Sequence, residues 1–207
     1  MMDALRYDDL RKIPAQPAAR LLAAAGAKLS TRLRAPASAP VSAVLEELAE
    51  KEALFDMLYL MSVALPGREA VWWACLAARD LVPEGQTTPS LAAAESWVFN
   101  PGDASRAAAQ RAMDGADIDD ETVYCALAAV YADGRMGTGE LANQPAPPAA
   151  VPAAVLTMNI KALDWVSKGE VAHGWVLMAR ALDIARGGNG HVPRGAPDPV
   201  TETEGHA

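Results

Sequence analysis

The sequence predicts an all-α protein, and three features of its composition support that class. Apolar residues make up 51% of the 207 residues, which is enough for a packed core. Long stretches combine alanine, the best helix former, with leucine, methionine, glutamate, arginine and lysine. Aromatic residues are only 5% of the chain, and the alternating β-branched or aromatic runs that indicate strands are almost absent. We therefore expect about seven helices in antiparallel pairs, packed as a globular bundle.

An irregular helical-repeat-like array is the alternative architecture. Segments that begin at Glu69 and Glu121 resemble each other over ten positions with a one-residue slip, and the segment that begins at His173 is a looser third copy. The spacing between the segments is not constant, and no repeat consensus is complete. The bundle is therefore the preferred prediction.

Residues 1–40 are predicted to form an N-terminal arm that contains one short helix. Prolines at positions 14, 17, 36 and 40 interrupt this region, and a helical spacing of leucines runs over residues 18–33. The first residues carry acids and lack the apolar segment of a secretory signal.

A helical domain is predicted over residues 41–186. Apolar spacing and breaker residues place its helices at 42–64, 68–81, 90–99, 103–113, 119–132, 152–166 and 168–185. Ser90, Asp103 and Asp119 are the predicted N-caps of the third, fourth and fifth of these helices. A loop rich in glycine and proline occupies residues 135–151, and residues 187–207 are predicted to be a disordered C-terminal tail.

Charge and cysteine content restrict the partners and the compartment. A net charge of −8 opposes binding to nucleic acid and to anionic lipid, whereas a basic partner protein is compatible with it. Cys75 and Cys125 lie in apolar helical patterns without a CxxC motif, so we expect reduced, buried thiols. No segment is apolar over the ~20 residues that a bilayer span needs. These features predict a cytoplasmic protein that binds neither nucleic acid nor membrane.

The motifs of common catalytic and metal sites are missing from the sequence. His173 has no histidine partner at helical spacing, and the other two histidines lie in the predicted tail. The segment "GRMGTGE" lacks the Lys-Ser/Thr ending of a phosphate-binding loop, and "DGADIDDE" lacks the residue order of a calcium loop. We therefore predict no catalytic residue, no cofactor and no metal.

Two adjacent tryptophans, Trp72 and Trp73, mark the helix predicted over residues 68–81. Successive helical residues are about 100° apart, so the two rings point in different directions. Because this helix is apolar nearly all round, we expect one ring in the core and the other at its edge, where Arg79 could stack on Trp72. Tryptophan and arginine are also enriched at interface hot spots. The candidate interaction surface is therefore Arg68, Glu69, Trp72, Trp73 and Arg79.

The segment "ALPGREAVWWACLAARDL", together with "RKIPAQPAARLL" and "AAESWVFNP", resembles a small uncharacterised family of Ala-rich helical bacterial proteins. The resemblance extends from about residue 11 to residue 185. It implies a cytoplasmic accessory protein found beside secretion gene clusters, including type VI, and it implies no reaction and no catalytic residues.

Three functions remain open at this point. The preferred hypothesis is a non-enzymatic adaptor or chaperone-like protein that binds another protein. The second is an enzyme whose helical fold holds a carboxylate- and arginine-lined pocket, formed by Arg68, Glu69 and Arg79 or by Arg106 and Arg111. The third is a structural protein that self-assembles.

Overall fold

The computed structural model describes residues 5–167 and 171–192. Within these ranges the chain forms nine α-helices, one 3-10 helix and no β-strand, which confirms the all-α class. The α-helices are α1 Ala18–Ala24, α2 Val41–Glu50, α3 Leu54–Ala64, α4 Gly67–Ala78, α5 Pro89–Phe99, α6 Asp103–Asp114, α7 Val123–Tyr131, α8 Ala150–Ser167 and α9 Val171–Arg186. The 3-10 helix, Gly139–Asn143, lies within the predicted Gly/Pro-rich loop.

The helix predicted over residues 42–64 is in fact two helices, and for this reason the prediction of seven helices in the domain is one too few. The chain leaves the helical path at Lys51, and Glu52 has a left-handed backbone with φ +53°. The amide of Ala53 then donates to the carbonyl of Leu48 at 2.9 Å, which closes the end of α2. The apolar spacing continues across this break, which contains neither glycine nor proline, so the pattern showed one helix.

Two predicted N-caps are also displaced by a few residues. Thr88 caps α5 in place of Ser90, because its hydroxyl accepts a hydrogen bond from the amide of Leu91 at 3.1 Å. Helix α7 begins at Val123 rather than after Asp119, since residues 117–122 form turns. A third cap, Asp103, is itself the first residue of α6, and Gly102 precedes it.

Helix α1 is shorter than the leucine spacing over residues 18–33 predicts. Gly26 adopts φ +63°, and the amide of Ala27 donates to the carbonyl of Leu22 at 2.8 Å, a pairing that ends a helix. The chain then runs irregularly to α2. Two buried carboxylates hold this stretch. Asp56 of α3 accepts hydrogen bonds from the amides of residues 30 and 31, and Glu47 of α2 accepts hydrogen bonds from those of residues 34 and 35.

Helix α4 lies at the centre of the bundle and packs against α5, α7, α8 and α9. Contacts between helices far apart in sequence are those of a bundle, because the units of a repeat array contact only their neighbours. Alanines that are fully buried allow close approach between these helices. At Gly67 the first turn of α4 lies so near the carbonyl of Ala132 that an added Cβ would be 2.8 Å from that oxygen.

Both cysteines are free and fully buried, Cys75 on α4 and Cys125 on α7, as predicted. Burial, together with the neighbouring thiol of Cys75, raises the pKa of Cys125 well above its usual value. The thiols therefore behave as small core residues.

The end of the chain lies partly outside the described residues. The predicted break between the last two helices falls at residues 168–170, and most of the predicted tail, residues 193–207, also lies outside the described ranges. Residues 187–192 run back along α9, where the amide of Gly190 donates to the carboxylate of Asp183 at 2.8 Å. Along the described ranges, no helix combines the length and apolar character needed to cross a membrane.

Candidate functional site

The two tryptophans of α4 occupy different environments. Trp73 is fully buried, and its Nε1 donates to the carbonyl oxygen of Leu177 on α9 at 3.0 Å. Trp72 is only partly buried. The 100° rotation between successive residues thus places one ring inside the bundle and the other at its edge.

The Trp72 ring is held at this edge by two other parts of the chain. Its Nε1 donates to the carbonyl oxygen of Asn189 at 2.8 Å. The ring meets Phe99, the last residue of α5, edge to face with centroids 5.6 Å apart, and His191 with centroids 6.0 Å apart. The indole N–H therefore has a partner, while the apolar part of the ring continues into an exposed aromatic group.

Phe99 is exposed, with 63% of its surface accessible, and His191 is exposed as well. Arg68 lies one helical turn before Trp72, and its Nε donates to the carbonyl oxygen of Val98 at 2.7 Å. That bond fixes the exposed guanidinium beside the end of α5. We call Arg68, Trp72, Phe99 and His191 together the aromatic surface.

The remaining predicted surface residues lie apart from the aromatic surface. Trp73 is in the core, and Glu69 binds Lys12 with a distance of 3.0 Å between Oε1 and Nζ. The guanidinium of Arg79 binds both carboxylate oxygens of Glu95, at 2.8 and 2.5 Å, and also the carbonyl of Gln86. Arg79 thus ties α4 to α5, and its predicted position over Trp72 is taken by Phe99 and His191.

Phe99 and His191 are the two residues of the surface that sequence reasoning missed. The position of Phe99 at the end of a predicted helix, next to Asn100 and Pro101, was a weak signal of exposure. His191 was assigned to the tail, and no local pattern relates it to Trp72, which is more than 100 residues away.

The arginines of the enzyme hypothesis have partners or lie in solvent. Arg106 is 2% exposed and binds the carboxylates of Asp103 and Asp133 at 3.3 and 3.2 Å, which fastens α6 to the chain after α7. Arg111 is exposed. Arg106 is therefore a buried, ion-paired residue of the fold, whereas Arg111 lies in solvent.

The carboxyl groups whose pKa departs from the usual range are all lowered, among the residues that the structure describes: Asp8, Asp9, Glu47 and Asp80. At Asp80, burial acts to raise the pKa, but the nitrogens of His173 and Arg180, at 3.2 and 2.5 Å, outweigh it. A carboxyl that donates a proton near neutral pH needs the opposite shift.

Metal-binding residues do not converge in the described ranges, where no group of three or more His, Cys, Asp or Glu side chains is placed to hold an ion. The aromatic surface itself places a hydrogen-bonded indole, an accessible phenyl ring and a guanidinium side by side.

Comparison with known proteins gives a family but no activity. No curated protein and no solved structure matches the chain. The model of a family of unknown function (DUF6931) matches residues 44–185, a range that begins in α2 and ends in α9 and so contains Arg68, Trp72 and Phe99. The chain belongs to this family of unknown function, DUF6931.

Proposed function

We propose that this protein is a cytoplasmic, non-enzymatic helical adaptor or chaperone-like protein that binds a partner protein through the aromatic surface. The observation that carries the proposal is the 63% exposure of Phe99 against the edge of Trp72. Isolated apolar residues are common on protein surfaces and need no partner. An exposed phenyl ring that continues a Trp ring beside an arginine is different, because Trp and Arg are enriched at interface hot spots and Phe is enriched at interfaces in general.

The aromatic surface is also preorganised for binding. Trp72 is fixed by its bond to Asn189, and Arg68 is fixed by its bond to Val98. Ordering a free, rotamer-rich side chain on binding costs about 0.5–1.5 kcal/mol, and fixed side chains avoid much of that cost. A partner would gain by burying the phenyl ring without first ordering its surroundings.

The partner class follows from the shape and charge of the surface. An exposed ring next to a guanidinium suits an apolar side chain flanked by a carboxylate, which would pair with Arg68. We further propose that the partner belongs to a bacterial secretion system. The resemblance of "ALPGREAVWWACLAARDL" to Ala-rich proteins found beside such gene clusters supports this part of the proposal.

The test is an affinity pull-down from the native host with the wild-type protein, Phe99→Ser and Phe55→Ser. Phe55 on α3 is the matched control, since it is 53% exposed and lies outside the aromatic surface. We expect a specific partner with the wild type and with Phe55→Ser, and its loss with Phe99→Ser while the melting temperature changes only slightly.

Two outcomes would contradict the proposal. Recovery of no specific partner would remove the adaptor role, and equal recovery with both variants would remove the aromatic surface from it. If light scattering shows a defined assembly of this chain alone, and Phe99→Ser dissolves it, the self-assembling alternative is favoured instead.

A further inference from the structure

A second surface feature lies at the other end of α5, where an open groove of about 740 Å³ separates two loops. One loop, residues 79–88, connects α4 to α5, and the other, residues 115–122, connects α6 to α7. The apolar part of the lining comes from residues on both sides: Leu81, Val82, Pro83, Ile118, Val123 and Tyr124. The volume is in the range of sites that hold a few side chains of a ligand.

Ile118 at the rim of the groove is fully exposed, with 108% relative accessibility, so its side chain is buried by nothing in this chain. Its neighbours Asp117 and Asp119 are exposed as well, and neither carboxylate has a hydrogen-bonding or ion-pair partner among the described residues. The rim therefore presents an apolar side chain between two uncompensated negative charges.

The floor of the groove is held by a network of hydroxyl groups and one carboxylate. The hydroxyls of Thr88 and Thr122 bond to each other, and the Ser90 hydroxyl donates to Asp120 Oδ2 at 2.7 Å. The amide and the hydroxyl of Thr122 both bond to Asp120 Oδ1, at 2.9 and 2.6 Å. Because Ser90 and Thr122 are buried, this network joins the starts of α5 and α7 and preforms the groove.

The charges of the lining are unbalanced. Lys161 binds Glu121 at 2.8 Å, which neutralises that acid, and Asp120 is occupied by the floor network. Asp117 and Asp119 remain, and the chain as a whole carries a net charge of −8. A ligand that complements the groove thus places basic groups against the aspartates of the rim and an apolar side chain within the groove.

We propose that this groove binds a cationic amphipathic segment of a partner protein. An apolar side chain of the segment packs against Ile118 and the Leu81 wall, and its lysines or arginines face Asp117 and Asp119. A phosphate-bearing ligand would be repelled by the same carboxylates, which is why a basic protein segment is the occupant.

This site is separate from the aromatic surface. Pro89 begins α5 at the groove and Phe99 ends it at the aromatic surface, and eleven residues of helix span about 16 Å. The inference stands on the groove alone and does not need the aromatic surface to bind anything. If both sites are occupied, the chain bridges two protein segments.

Fluorescence anisotropy with two labelled peptides tests the proposal. The probe is an amphipathic peptide of leucine and lysine, and its counterpart carries glutamate in place of lysine. We expect the lysine peptide to bind the wild-type protein with an affinity that falls as salt rises, and the glutamate peptide not to bind. Binding of both peptides alike, or of neither, would overturn the proposal.

Variants locate the binding. Ile118→Ser should weaken the lysine peptide by about tenfold or more without moving the melting temperature, since the side chain makes no internal contact. Asp117→Asn with Asp119→Asn should weaken it by about tenfold and flatten the salt dependence. The charge-matched control, Glu52→Gln with Glu140→Gln, changes two exposed acids outside the groove and should bind as the wild type does.

Equal weakening by the control would show that net charge, and not the groove, attracts the peptide, and would overturn the proposal. An unchanged affinity in Ile118→Ser would do the same. Phe99→Ser should leave this binding intact, so that failure at the groove and failure at the aromatic surface are told apart.

Discussion

Replacing Trp73 by alanine is expected to destabilise the protein far more than the same change at Trp72. Trp73 is fully buried between α4 and α9, and its removal opens a cavity that the surrounding helices fill only in part. Truncation of a buried tryptophan costs about 3–5 kcal/mol, of which the lost hydrogen bond to Leu177 accounts for about 1 kcal/mol. In a chain of this size that loss lowers the melting temperature by about 6–20 °C.

Trp72 has a different balance of contacts. Its ring is partly solvated, and its removal gives up edge contacts with Phe99 and His191 and the bond to Asn189. We expect Trp72→Ala to cost less than about 2 kcal/mol, in the range of ordinary surface-edge substitutions. The difference between the free energies of unfolding of the two variants, rather than either value alone, tests whether Trp73 lies in the core and Trp72 at its edge.

Urea unfolding followed by circular dichroism gives both free energies of unfolding, and Trp73→Phe is the internal control. Phenylalanine keeps much of the ring volume but cannot donate to Leu177, so its cost should lie between those of the wild type and Trp73→Ala. Equal, large losses for Trp72→Ala and Trp73→Ala would refute the assignment of Trp72 to the edge. A loss at Trp73 below about 1 kcal/mol would refute its place in the core.

Two further predictions concern the attachment of the N-terminal region and the packing of α4. The pKa of Glu47 is lowered to about 2 by the hydrogen bond and the positive charge of Lys51 and by hydrogen bonds from the amides of residues 34 and 35, which outweigh the opposite effect of burial. An unfolded glutamate titrates near 4.3. The stabilisation from this carboxylate is thus complete above about pH 5 and is lost as the pH falls towards 2. Glu47→Gln should therefore be less stable at pH 7 and show a flatter acid denaturation curve. An unchanged curve would contradict the stabilising role of the Glu47 carboxylate. Gly67→Ala should lower the melting temperature, because the new Cβ would lie 2.8 Å from the backbone oxygen of Ala132, which cannot move aside as a side chain can. Gly102→Ala, where a Cβ meets nothing within 4 Å, is the control, and calorimetry compares the two variants. Equal melting temperatures would contradict the close approach of Gly67 to Ala132.

Helix positions were predictable from sequence because apolar spacing and breaker residues carry most of that information. The end of α4 and the end of α5 fall within a few residues of the predicted positions. The break at Glu52 was not predictable, since it depends on a non-glycine residue in the left-handed region. Tertiary contacts, including the capture of the irregular residues 30–35 by Asp56 and Glu47, stabilise the two helices separately.

The residues of the candidate site were harder to predict from the sequence than the helix positions. Arg68 and Trp72 are one helical turn apart, so their common face could be deduced from the sequence. Phe99 and His191 join them only because α5 and the chain after α9 converge on α4, a relation that no local pattern contains. Arg79 was assigned to the same face on spacing alone, but Glu95 of α5 offers it two carboxylate oxygens, a stronger partner than an aromatic ring at an exposed position.

Phe99 and Ile118 share a property that allows the proposed binding to be tested apart from folding. Both are apolar, both are exposed, and each lies beside a charged group that leaves it accessible: Arg68 at the aromatic surface and the two aspartates at the groove. A core residue cannot be removed without a stability loss, but these two can, because nothing inside the chain packs on most of their surface. Substitution at either position is therefore expected to change the melting temperature little, so that a loss of the proposed binding there can be told apart from unfolding.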